Sequence, residues 1–202
     1  MDVIVKIFAL VFAVVIHEVA HGYAAYLLGD PTAKRAHRLT LNPIAHIDLF
    51  GSVILPLVLV FTGSPVLLGW AKPVPFNPAY FRDPRRGIMI VGAAGPLINF
   101  LAALVSAVLF RLVGHVFQPL ALFLFFFCAT NLILGIFNLI PIPPLDGSRI
   151  VMGFLPDDLV PAYLRLESFG FIIIFALLGL GVLDYIISPV YHFLLGWLLL
   201  SG

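Results

Sequence analysis

Five runs of the chain, about 3–28, 87–110, 116–140, 168–183 and 185–200, are apolar almost throughout. A helix rising about 1.5 Å per residue needs about 20 such residues to cross a hydrocarbon layer about 30 Å thick. In lipid a backbone must satisfy its own polar groups, which confines each run to helix. A sixth run, 51–69, is equally apolar but is broken by Pro56, Gly63 and Pro65. The pattern predicts an all-α polytopic membrane protein with about five to six transmembrane helices. Charge agrees: only 10% of the residues are charged and mean hydropathy is +1.13, whereas soluble domains run near 25% charged. With a net charge of +1 and no basic cluster, nucleic acid is not an expected partner; the lipid bilayer is. Cys128 is the single cysteine, which excludes a disulfide framework and a cysteine metal site. No cationic region precedes the first run and no small-residue cleavage site follows it, so it is expected to remain as a span.

The first run contains side chains that lipid disfavours. In "VFAVVIHEVAHGYAAYLLG", residues 11–29, His17, Glu18 and His21 sit among apolar neighbours, although an ionisable group at a helix centre costs about 2.5–3.5 kcal/mol on insertion scales. Histidines at i and i+4 share one helix face. Two imidazoles so placed can occupy two corners of a zinc tetrahedron, with Glu18 beside them as a base. A catalytic zinc takes a third protein ligand and keeps one position open. The candidates are His37, His46, Asp48, His115, Asp146 and His192. Asp146 stands out because it follows an apolar run on a backbone broken by Pro141, Pro143 and Pro144. These prolines predict an extended or looped 141–149, and non-helical backbone at membrane depth is tolerated only inside protein or beside a wet cavity.

Three stretches together, "HEVAH" (17–21), "GAAGPLINF" (92–100) and "NLIPIPPLDGSR" (138–149), resemble the signatures of the site-2 proteases, intramembrane zinc metalloproteases. "LNPIAHID" (41–48) and "GWAKPVPFNP" (69–78) are similar to a compact bacterial-type branch without a PDZ or CBS domain. The resemblance implies one zinc per chain held by His17, His21 and Asp146, Glu18 as general base, and a transmembrane protein segment as substrate. Asn138 resembles a residue of the family motif and is a candidate oxyanion donor, with His46 the second candidate. The chain is then one membrane-embedded domain, 1–202, with a catalytic core of about 3–150 and further helices at about 161–200.

Topology constrains this assignment. If 51–69 crosses the membrane, the first helix and the 116–140 helix run in opposite directions and their ligands sit toward opposite faces. If 51–69 is re-entrant, the ligands approach one face. In the re-entrant arrangement Lys34, Arg35, Arg38, Lys72, Arg82, Arg85, Arg86, Arg149 and Arg165 share one side, and Lys6 and Arg111 the other. Because positive residues favour the cytoplasm, the expectation is a multi-pass cell-membrane protein with its active site toward the cytoplasmic side. A helical substrate must unwind before it is cut. Residues 37–42 and 69–76 are therefore expected to form short membrane-embedded strands that receive it by strand addition, Pro73 and Pro75 suiting an edge. A membrane zinc transporter, or a zinc hydrolase acting on another membrane substrate such as prenylated tails, is the alternative.

Overall fold

A computed structural model describes residues 2–62, 69–114 and 116–200. Its elements are helices: α1 (Asp2–Leu27), α2 (Thr32–Arg35), α3 (Leu55–Phe61), α4 (Pro84–Val113), α5 (Gln118–Asn138), α6 (Asp146–Met152), α7 (Val160–Arg165), α8 (Gly170–Gly179) and α9 (Val182–Leu200). Five stretches are long and apolar enough to cross a membrane: Val3–Leu27, Pro84–Val113, Gln118–Asn138, Val160–Gly179 and Val182–Leu199. The fourth joins α7 to α8 through a 3-10 turn at Leu166–Phe169. Large apolar side chains such as Leu97, Leu112 and Phe193 point outward, while Asn99 and Asn131 are fully buried. This inversion suits hydrocarbon as the solvent.

Contacts fix the helix directions. Lys6 lies over the Phe126 ring, the Ala13 carbonyl meets Asn99, which holds Asn131, and His21 meets Asp146. Moving forward along α1 thus moves forward along α5, so the two are parallel. Along α4 the order reverses: Asn99 faces Ala13, and Val91 faces His21 and Ala25. Small residues allow the close approach that helix packing in lipid requires: Ala103 and Ala107 of α4 meet Cys128 and Leu132 of α5 and Leu198 of α9. A second core joins Leu145 to Ile174, Leu183 and Ile187. Helix α1 ends where Gly29 takes φ +99°, the left-handed conformation that closes helices and that glycine adopts without strain.

Between α1 and α4 the chain departs from expectation in one respect. The described residues contain no strand, at 37–42 or at 69–76. His37, with φ +53°, turns the first stretch out of extended conformation, and His46 takes the Thr40 carbonyl. The second, the strap 69–76, has no regular structure, and its hydrogen bonds go singly to the turns at Pro43–His46 and Leu49–Ile54 and to side chains, so no ladder forms. Residues 49–61 are helical, a π-helical turn at Leu49–Ile54 followed by α3. At about 1.5 Å per residue these thirteen residues reach about 20 Å. The rest of the interrupted run, 63–68, lies outside the described residues. Beyond α5, 141–145 is looped as the prolines require, but a helix begins at Asp146 rather than after residue 149. The prolines stop at 144, and an acid in the first turn suits a helix N-terminus.

Candidate metal centre

His17 and His21 project from one face of α1 toward α4, where Gly95 leaves room for them: a Cβ there would run into both imidazoles. Asp146 arrives at the start of α6, whose position is set by two further close approaches. Gly147 lies against the Leu139 carbonyl and Gly92 against the backbone of Asp146 and the stem of Arg149. The three groups meet with His17 Nε2 3.0 Å and His21 Nε2 3.1 Å from Asp146 Oδ2, and 3.0 Å between the two nitrogens. All three residues are buried.

Backbone carbonyls settle where the protons are, because they only accept. The Val91 carbonyl lies 2.6 Å from His21 Nδ1, so that nitrogen carries the hydrogen. For His17 the reasoning passes through two amides. Asn131 Nδ2 donates to the Phe127 carbonyl at 2.8 Å, which turns its Oδ1 toward Asn99. Asn99 Nδ2 donates to that oxygen at 2.7 Å and to the Ala13 carbonyl at 3.3 Å. Asn99 Oδ1 is then the atom 2.6 Å from His17 Nδ1, and it too must receive a hydrogen. A neutral imidazole protonated at Nδ1 has its lone pair on Nε2. With both imidazoles in that neutral form, two lone pairs and a carboxylate oxygen converge on one buried point. Such a set is satisfied by a cation. Tetrahedral ligands about 2.0–2.1 Å from zinc lie about 3.3 Å apart, close to the spacings observed. These three residues could hold a metal ion, and the Nδ1 bonds are the outer contacts that orient histidine ligands.

Glu18 points differently. Its Oε2 accepts the Val74 N–H at 2.8 Å, tying the carboxylate to the strap. Glu18, the three converging groups, Asn138, Arg149 and the strap residues Ala71 and Pro73 all line one cavity of about 520 Å³. Asn138 donates to the Leu134 carbonyl at 3.0 Å, which uses one of its two amide hydrogens. Arg149 Nη1 donates to Asp146 Oδ1 at 3.4 Å. His46 does not join the cavity: it is buried, donates to the Thr40 carbonyl at 2.9 Å, and receives Lys72 N–H on its own carbonyl. Asp48 caps the turn at Leu49–Ile54, His37 is exposed, and His192 bonds Ser188. His115 lies outside the described residues. Asn99, Asn131 and the Val91 carbonyl carry no role in the sequence reading. The signal was there for the amides, since each is one of a few polar groups in an apolar run.

The family model of peptidase family M50 matches residues 114–180, which include Asp146. A Bacillus subtilis protein named "Putative zinc metalloprotease YwhC" is 38% identical over 191 residues, 91% of this chain and 84% of the relative. The chain belongs to peptidase family M50. Two further relatives are longer. "Putative zinc metalloprotease Rip2" of Mycolicibacterium smegmatis is 30% identical over 81% of this chain and 62% of its own length. "Zinc metalloprotease MJ0392" of Methanocaldococcus jannaschii is 24% identical over 93% of this chain and 47% of its own. No solved structure matches the chain significantly. The chain is thus a metalloprotease of M50 type with zinc as its cofactor, built as a multi-pass membrane protein. The transporter alternative is not favoured.

Proposed function

We propose that this chain hydrolyses peptide bonds in or near membrane-spanning segments of other proteins, with zinc held by His17, His21 and Asp146 and with Glu18 as general base. The observation that carries the assignment is the convergence of His17 Nε2, His21 Nε2 and Asp146 Oδ2 on one buried point, with both Nδ1 atoms already engaged by oxygen acceptors. Zinc bound there supplies Lewis-acid chemistry, acidifying water and polarising a carbonyl. Glu18 receives the proton of the attacking water as the oxygen–carbon bond forms. It returns that proton to the amide nitrogen as the carbon–nitrogen bond breaks. The Val74 N–H holds the carboxylate in place. Asn138, with one amide hydrogen left, is placed to donate to the developing oxyanion.

The substrate lies extended beside the strap, and 51–69 is re-entrant. Supporting this, α4 begins beside the C-terminal end of α1 and runs antiparallel to it, so the intervening stretch leaves from and returns to one side. The thirteen helical residues at 49–61 are too short to cross about 30 Å, and Trp70 N–H donates to the Gly51 carbonyl at 3.2 Å, bringing both ends of the interrupted run together. By the lysine and arginine distribution that side is cytoplasmic, in the cell membrane. Residues 1–202 act as one domain, with a catalytic core of about 3–150 and the last two spans as scaffold.

Metal content of the purified full chain tests the site. About one zinc per chain is expected in the wild type, lost or strongly weakened in His17→Ala and in Asp146→Ala, and retained in Glu18→Gln with proteolysis abolished. Full zinc retained in Asp146→Ala would separate the two motifs and break the assignment.

A further inference from the structure

Backbone hydrogen bonds along the strap alternate. The N–H groups of Trp70, Lys72 and Val74 go to the Gly51 carbonyl at 3.2 Å, the His46 carbonyl at 2.9 Å and the Glu18 carboxylate at 2.8 Å. The carbonyls of Trp70 and Lys72 accept from Ser52 Oγ at 2.8 Å and Arg38 Nη2 at 2.6 Å. In extended backbone the N–H and carbonyl of one residue share an edge, and successive residues alternate between edges. One edge of the strap is thereby consumed by the protein itself. The other belongs to Ala71, Pro73 and Pro75, and among the described residues none of their backbone groups has a partner. Ala71 and Pro73 line the cavity that holds the metal centre. Two of these three residues are prolines and have no N–H.

We infer that the strap recognises an extended peptide chiefly through the peptide's N–H groups. Its free edge offers three carbonyls in alternate register and, at Ala71, a single donor. This goes one step beyond the protease reading and rests on it. A substrate laid along the edge donates at every second residue, and its carbonyls opposite Pro73 and Pro75 find no hydrogen-bond donor in the strap. An ordinary sheet edge would bind those carbonyls and draw electron density and position away from the reacting centre. A proline-punctuated edge fixes the chain and leaves the carbonyl to be cleaved unclaimed. Proline or N-alkylated residues at strap-facing positions of a substrate are excluded by the same arrangement.

The test separates this from proteolysis itself. The probe is a synthetic apolar transmembrane peptide of Leu and Ala with a central Asn-Gly pair and lysine ends, in detergent with the zinc-loaded full chain. Its cleavage by the wild type and not by Glu18→Gln tests the protease reading. The edge is tested by binding to Glu18→Gln, where no cleavage intervenes. Each residue is replaced in turn by its ester, which lacks the N–H, and by its thioamide, whose carbonyl accepts poorly. Esters at alternate residues are expected to weaken binding about two- to tenfold, while thioamides, except at the one carbonyl facing the Ala71 N–H, change it by less than about twofold. In Pro73→Ala, which returns an N–H to the edge, one thioamide position becomes costly. Ester effects without alternation, or thioamides as costly as esters, would overturn the inference.

Discussion

A single amide joins three helices at this site. Asn99 accepts from His17 of α1, donates to Asn131 of α5 and belongs to α4. Asn99→Leu removes the acceptor at Nδ1 and with it the preference for a lone pair at Nε2. Zinc affinity is expected to fall about 10- to 100-fold, measured by competition with a chelator, while an unchanged thermal transition of the zinc-free protein separates this from unfolding. Asn131→Leu acts one step further out and should give a smaller loss of the same kind. At this scale the sequence pointed to the three groups that converge and was silent about what holds them in place. The spacing of His17 and His21, and an acid on proline-broken backbone, are local patterns. That Asn99 turns its oxygen to His17 depends on which carbonyl its nitrogen finds, and the Ala13 carbonyl is 86 residues away.

At the level of elements, positions are set by close approach and by a few buried polar ties. Gly95→Ala places a methyl group against both imidazoles. Loss of zinc is expected without loss of the helices, read by metal content alongside circular dichroism. The strap is tied at its far end by Asp30, which is fully buried and accepts from Thr32 N–H at 2.9 Å and from Asn77 N–H at 2.6 Å. The Thr32 hydroxyl donates to Asp30 as well, so Asp30→Ala leaves three donors without this acceptor, at a cost of about 1–3 kcal/mol for each that stays buried and unpaired. The expected result is a lower unfolding temperature in detergent and a raised KM, since the strap loses its register on Glu18. The long helices were legible because apolar length in lipid permits little else. The strap was not. Proline, lysine and small residues at 69–76 carry no periodic signal, and its extended form is set by Gly51, His46 and Glu18, which lie elsewhere in the chain. The helix start at Asp146 was missed because three prolines within four residues suggested more loop than they enforce.

For the whole molecule, the parallel pairing of α1 with α5 and the reversal of α4 bring distant ligands to one depth. Nine basic residues share one side if 51–69 turns back, which is the topology proposed above. Cys128 is buried, so a chain with Cys128→Ser and one added cysteine reports sidedness. Lys72→Cys is expected to react with an impermeant thiol reagent from the cytoplasmic face and Asp2→Cys from the opposite face. Reaction of both from the same face would break the re-entrant topology. The fold also imposes an order of events during synthesis. His21 and Asp146 are 125 residues apart in the chain, and at translation rates of about 5–20 residues per second the third ligand leaves the ribosome about 6–25 s after the second. Two more helices must enter the bilayer and pack against the first in that interval. The nascent enzyme is therefore inert while it threads through a membrane crowded with other newly inserted helices, and it arms itself only when it is nearly assembled.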